Sequence, residues 1–201
     1  MLPELYTPRL VLRPAGRDDV GALHSLWNAA DVRRYLWDDL PVTKQRAAQT
    51  IARSIALAHR GLGLWVLLQR DGTADTAFLG SAGLLPVSAI AGYDPGFAGR
   101  VEPIVALLPT VRSRGLATEA LRAVLQYALG PLQLPGLVSV IDAPNEPAHR
   151  LVARIGSRPV MDDDQPSPPV RTYRLSSSLF ASMARDRLET LDLDVIEAMA
   201  G

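Results

Sequence analysis

Val111-Arg112-Ser113-Arg114-Gly115-Leu116-Ala117-Thr118-Glu119-Ala120 follows an apolar run, Val101 to Leu108, and opens a segment in which Ala117, Ala120, Leu121, Val124, Leu125 and Ala128 recur at helical spacing. The order reads as strand, tight turn, helix. The start of a helix leaves its first backbone N–H groups without intrahelical partners, and the aligned peptide dipoles make that end partly positive, so an anion is favoured there. Gly115 takes a positive φ at little cost and Ala117 adds no bulk, so a ligand oxygen can approach successive amides between Ser113, Leu116 and Thr118, as in a backbone nest. Arg112 and Arg114 flank the turn with charge suited to a phosphate. Taken alone, one glycine between basic residues equally fits an ordinary structural turn.

Before this stretch, Leu10 to Arg13 alternates apolar and basic residues, the pattern of a strand with one buried face. Asp18 and Asp19 open a helix whose Val20, Leu23, Leu26 and Trp27 face the core, with His24 near that stripe as a packing residue. Thr43 is the expected N-cap of a helix from Lys44 to about His59, with Ala47, Ile51, Ile55 and Ala58 inward and Gly61 and Gly63 stopping it. Leu64 to Gln69 and Phe78 to Val87 read as antiparallel strands joined at Asp71-Gly72. Residues 88–100 are rich in breakers and read either as a substrate-side loop or as a solvated insertion. Val101 to Leu108 reads as a central strand buried on both faces, made locally irregular by Pro103.

After the turn helix, which Gly130-Pro131 ends, Leu137 to Ile141 reads as a strand. Asn145 then leads into a helix to Ile155, with Pro147 in its first turn and Gly156 as its cap. A last strand is expected at Val170 to Leu175, and Leu179, Met183, Leu188, Leu191, Val195 and Met199 give the C-terminus a loose helical pattern.

The 201 residues are 48% hydrophobic and 21% charged with no net charge, the profile of one globular domain with a sizeable core. The pI of 6.8 provides no basic footprint for nucleic acid. The absence of cysteine excludes a disulfide framework, a thiolate nucleophile and any cysteine-based metal site, and points to a cytoplasmic setting. Neither a leader pattern nor an apolar run long enough to span a membrane is evident.

Arg112-x-x-Gly115-x-Ala117 resembles the Arg/Gln-x-x-Gly-x-Gly/Ala pyrophosphate motif of the GNAT N-acetyltransferases. Tyr6-Thr7-Pro8-Arg9-Leu10-Val11-Leu12-Arg13-Pro14 looks like the opening strand of that family's RimJ/RimL-like branch, and Asp31-Val32-Arg33-Arg34-Tyr35-Leu36-Trp37 looks like its first interhelix segment. Asn145-x-x-Ala148-x-Arg150, followed by Gly156, is similar to its late helix. The resemblance implies a mixed α+β fold. Its mostly antiparallel sheet would have six to seven strands, the fourth and fifth splayed apart, with helices on both faces. Residues 1–176 would form the acetyltransferase domain, with 177–201 as an added helical arm packed on it.

The same resemblance implies acetyl-CoA as cosubstrate, without a metal, and an amine acceptor, either a small molecule or a protein N-terminus. The chain would act as a monomer or homodimer, without nucleic acid or membrane. It aligns Ser113 to Thr118 with the pyrophosphate, a backbone N–H near Leu107 or Leu108 with the thioester oxygen, and Asn145 and Arg150 with pantetheine and nucleotide. Glu102 falls where some relatives place the group that deprotonates the amine, although Pro103, Ile104 and Val105 depart from the family pattern. No tyrosine lies between Tyr127 and Tyr173 to act as general acid. That leaves a CoA-holding module without catalysis as the competing reading. The acceptor would meet Trp37, by cation–π contact, and the carboxylates of Asp38 and Asp39, with Asp162, Asp163 and Asp164 as a second acidic group on that side.

Overall fold

The computed structural model of the chain describes residues 1–70, 77–87, 100–160, 170–178, 180 and 182. β1 (Leu5–Tyr6) and β2 (Leu10–Pro14) form a hairpin, followed by α1 (Val20–Asn28), α2 (Ala30–Leu36) and α3 (Lys44–Leu57). β3 (Gly63–Gln69), β4 (Phe78–Pro86) and β5 (Val101–Leu107) complete a five-stranded antiparallel sheet in chain order. α4 (Leu116–Leu129) then crosses to β6 (Gly136–Asp142), which pairs with β8 (Val170–Ser176) in a second sheet ordered β6-β8-β7. α5 (Glu146–Arg154) and β7 (Arg158–Pro159) lie between them in the chain. Two-residue strands, β1 and β7, raise the count to eight, above the six to seven expected. The strand expected as the fourth is accordingly β5, and its neighbour is β6.

Helices cover both faces of the main sheet. On one side, Leu10, Leu12, Trp65, Leu67 and Leu84 pack under Ala120, Val124 and Leu125 of α4. On the other, Leu64 and Val66 meet Leu23, Leu26 and Trp27 of α1 and Ala47 and Ile51 of α3. Alternation of side chains along a strand explains how neighbouring residues of β3 serve both cores.

α3 begins at the cap read from the sequence, with Arg46 N–H donating to Thr43 Oγ1 at 3.1 Å. Its inward stripe is Ala47, Ile51 and Ser54, whereas Ile55 is 47% exposed. The 3.6-residue repeat carries Ile55 off the sheet, and Ser54 takes its place because its hydroxyl accepts the Leu64 N–H at 2.7 Å. The segment expected as an interhelix connection is the helix α2. His24 is half-buried beside the α1 stripe. The Asp71-Gly72 turn, the 88–99 loop, Asp162 to Asp164 and 183–201 of the expected C-terminal arm lie outside the described residues.

β5 pairs with β4 without interruption from Val101 to Leu107, so Pro103 does not distort it. Leu108 N–H donates to Leu79 O and Arg100 O accepts from Val87 N–H, which sets even-numbered residues toward β4. By alternation, Pro103, Val105 and Leu107 turn their backbone groups to the other edge. The missing donor of Pro103 is therefore not a ladder donor, as befits an edge strand.

Candidate functional site

That free edge of β5 faces β6, which belongs to the other sheet. A strand–helix–strand crossover through α4 runs β6 in the same direction as β5. Between them Val140 N–H donates to Glu102 Oε1 at 2.8 Å. A side chain, rather than a carbonyl, thus receives an edge donor of β6. Glu102 is 6% exposed, and burial pushes its carboxyl up to about 7 against the opposing pull of the Val140 N–H. Its Oε2 has no hydrogen bond to a described residue. Glu102 lies on the same side of β5 as Ile104 and Ala106, which pack in the core that also holds Trp37.

Beyond β5 a short 3-10 turn, Pro109–Val111, leads into Arg112 and the start of α4. Gly115 has φ +78° and ψ −1°, and Ser113 has φ +61°, with Arg114 between them at negative φ. Alternation of handedness turns successive amides to one side, the geometry of a nest. The helical ladder of α4 begins with Glu119 N–H donating to Gly115 O at 3.1 Å, so the amides of Leu116, Ala117 and Thr118 precede it. Among the described residues no acceptor takes the N–H of Ser113, Arg114 or Gly115. The small residues and unclaimed amides fit a pyrophosphate.

The flanking arginines also make contacts within the protein. Arg112 pairs with Asp31 of α2 at 2.7 Å and donates from Nε to Leu107 O at 3.3 Å, and Arg114 donates to Thr110 O at 3.2 Å. Both brace the turn from within. Of the two backbone donors expected, the Leu108 N–H is bonded to Leu79 O at 2.9 Å, whereas Leu107 turns its backbone to the free edge.

At the far end of β6, Asn145 caps α5 by accepting from Ala148 N–H at 3.3 Å. Arg150, one turn on, is exposed and lies 3.8 Å from Glu146. His149, which the sequence reading passed over, places Nε2 3.1 Å from Asp142 O and 3.2 Å from Ala143 O. Two acceptors there place a proton on Nε2, and Nδ1 lies 2.9 Å from the Tyr173 hydroxyl. Tyr173 sits on β8, with β6 between it and the gap. It packs rather than faces the gap.

The end of α2 borders the same region, since Tyr35 Oη donates to Pro144 O at 3.4 Å, and Asp38 of the following loop lies near Asp142. Asp38 and Asp39 both have positive φ, +51° and +58°. Asp39 pairs with Arg33 at 2.9 Å, whereas Asp38 has no cation partner among the described residues. Burial, with the Asp38 carboxylate nearby, raises the pKa of Asp142. Trp37 packs against Trp27 at 5.2 Å with the rings tilted by 52°, and the cation over its ring is the protein's own Arg46 at 5.2 Å. An amine seated there would compete with a resident guanidinium. The buried indole N–H groups of Trp27 and Trp37 have no partner among the described residues.

The acetyltransferase (GNAT) domain model matches residues 9–158. An acetyltransferase from Agrobacterium tumefaciens is similar in fold, with TM-score 0.70 and 23% identity over 87% of this chain and 95% of that one. So is a GNAT-family acetyltransferase from Bordetella pertussis, described as putative, with TM-score 0.69 and 25% identity over 87% and 99%. RimL, a ribosomal L7/L12 alpha-N-protein acetyltransferase solved with coenzyme A, shares the fold at TM-score 0.66 and 15% identity over 87% and 98%. The match spans β2 through α5 and so contains the turn, β5, the gap and β6. The chain belongs to the GNAT acetyltransferases and is an acetyl-CoA-dependent acyltransferase.

Proposed function

We propose that the acceptor is a primary amine, on a protein N-terminus or a small molecule, and that it attacks the thioester directly while both substrates are bound. The observation that carries this reading is Glu102, buried beside the open edge of β5 with a pKa of about 7 and one uncommitted oxygen. An ammonium group must lose a proton before it can attack, and a carboxylate poised near neutrality is matched to accept it. The activity of RimL on a protein α-amine is in keeping with this chemistry.

Acetyl-CoA supplies the acetyl thioester, and the residues of the chain divide the remaining work. Amides from Ser113 to Thr118 hold the pyrophosphate, and Asn145 and Arg150 hold the pantetheine and nucleotide ends. The Leu107 N–H, on the open edge, donates to the carbonyl oxygen as charge gathers there. Glu102 takes one proton from the ammonium, which frees the nitrogen lone pair, and the nitrogen sheds its second proton as the N–C bond forms. The C–S bond breaks with its electron pair on sulfur, one of the two protons reaches the sulfur to give the free thiol, and the other passes to solvent. Asp38 draws the cationic acceptor toward the gap, with Asp39 and Trp37 shaping its loop. The catalytic unit is 1–176.

A panel of peptides and small amines incubated with acetyl-CoA, read by thiol release and by the mass of the amine product, tests this reading. Equal thiol and acetylated amine are expected for at least one member. Thiol release that is the same with and without every amine would contradict it.

A further inference from the structure

We propose that Arg9, on the β1–β2 hairpin, is a positioning residue for CoA: it sets the direction of the Gly115 amide without touching the ligand itself. The inference rests on the reading of the turn as the pyrophosphate site. Arg9 Nη1 donates to Arg114 O at 2.9 Å. In a planar trans peptide the carbonyl of Arg114 and the N–H of Gly115 point in opposite directions. A donor that holds the carbonyl on the hairpin side therefore holds the Gly115 N–H away from it, toward the side where the nest is open. The adjoining peptide is held in the same way, because Gly115 O accepts from Glu119 N–H.

Glu119 makes Arg9 rigid enough for this task. Its carboxylate accepts from Arg9 Nε at 2.7 Å, from the Arg9 backbone N–H at 3.0 Å and from Thr7 Oγ1 at 2.6 Å, and Arg9 Nη2 lies 2.6 Å away as an ion pair. Arg9 Nε and Nη2 converge on Glu119 Oε2 while Oε1 accepts from the Arg9 backbone N–H and Thr7 Oγ1, so the guanidinium is held by charge-assisted contacts at two of its nitrogens. The Glu119 carboxyl has a lowered pKa: burial opposes the shift, and the Thr7 hydroxyl and Arg9 together overcome it. With its charge already answered by Glu119, Arg9 acts on the anion through the backbone. A Cβ built on Gly115 would stand 3.5 Å from Arg9 Nη2, so the guanidinium lies directly against the turn.

The test compares Arg9→Gln with Thr7→Val, which cuts the other anchor of Glu119 but leaves Arg9 free to reach Arg114. CoA affinity is measured by calorimetry at low and high salt, with kcat at saturating acetyl-CoA and the melting temperature alongside. Arg9→Gln should raise the Kd for CoA on the order of tenfold, the loss of one charge-assisted hydrogen bond. That factor should be the same at both salt concentrations, with kcat at saturation near the parent's. Thr7→Val should lower the melting temperature and keep the parental Kd. A parental Kd in folded Arg9→Gln overturns the proposal. So does an equal loss in Thr7→Val, which would mean general loosening of the hairpin, or a loss that fades with salt, which would mean direct contact with phosphate. A parent chain that fails to bind CoA at all would instead overturn the reading of the turn, and this proposal with it.

Discussion

The turn from Arg112 to Thr118 and the loop from Trp37 to Leu40 border the same gap but are built on opposite terms. Side chains around the turn are engaged within the protein: Arg112 pairs with Asp31, Arg9 with Glu119, and Arg114 donates to the Thr110 carbonyl. What remains unclaimed is backbone N–H. The loop keeps its strain and its charge, with consecutive aspartates at positive φ and, among the described residues, no cation for Asp38 beside Asp142 and no acceptor for the Trp37 indole N–H. A ligand common to a family can be held by backbone, which any side chain at those positions supplies. Recognition of a particular acceptor falls to side chains whose charge or hydrogen bonds have been left unspent.

If the turn works through its backbone, Gly115→Val should have the largest effect. The added Cβ meets only the Arg9 guanidinium at 3.5 Å, an ordinary contact, so the fold should survive. The strain lies in φ +78°, which a β-branched residue avoids, and reorganising the turn should weaken CoA binding about a hundredfold. Calorimetry with CoA checks this, and unchanged affinity in a folded variant would erase the contrast with the loop.

On the acceptor side the effects should be smaller and sensitive to salt. Asp38→Asn should raise the KM for a cationic amine about threefold at low salt and less at high salt, because exposed charges are screened. Asp39→Asn should do less, since Arg33 already neutralises that carboxylate. Steady-state kinetics at two ionic strengths would sharpen the assignment, and equal effects of the two substitutions would break it. Smallest of all, Asp38→Gly should stabilise the fold by about 0.5–1 kcal/mol by relieving φ +51°. It should raise KM as the asparagine does, which separates strain from charge. A fall in melting temperature would show that the aspartate side chain supports the loop.

The elements were legible where local pattern and local chemistry coincide. Thr43 capping α3, Gly115 at positive φ and the alternation of Leu10 and Leu12 depend on neighbours a few residues away. The partnerships that brace the turn were not. Thr7 and Arg9 meet Glu119 across more than a hundred residues, and nothing in either segment signals the other. Ser113 at φ +61° carries no glycine-like mark in sequence. His149 reads as a lone histidine until β8 brings Tyr173 to it. Pro103 misled because the sequence does not say which way a strand's donors point, and on an edge strand the answer reverses the consequence.

The pH dependence of acetyl transfer in the parent and in Glu102→Gln tests the central claim most directly. Glutamine keeps an oxygen for Val140 N–H but cannot take a proton from the amine. The folded pKa of Glu102, about 7, lies above its ordinary 4.5, so the native state holds the extra proton between these values. The burial cost of the charge is absent below 4.5 and complete above about 7, and stability falls as pH rises through that window. Glu102→Gln should therefore be folded at pH 8 and more stable there than the parent, by an amount on the order of 3 kcal/mol. With acetyl-CoA saturating, the parent's kcat/KM for the amine should include a rise that levels near pH 7. The variant should lose that inflection and fall about a hundredfold or more. A folded Glu102→Gln with parental turnover and the same pH profile would show that this carboxylate only bridges the strands and that the base lies elsewhere.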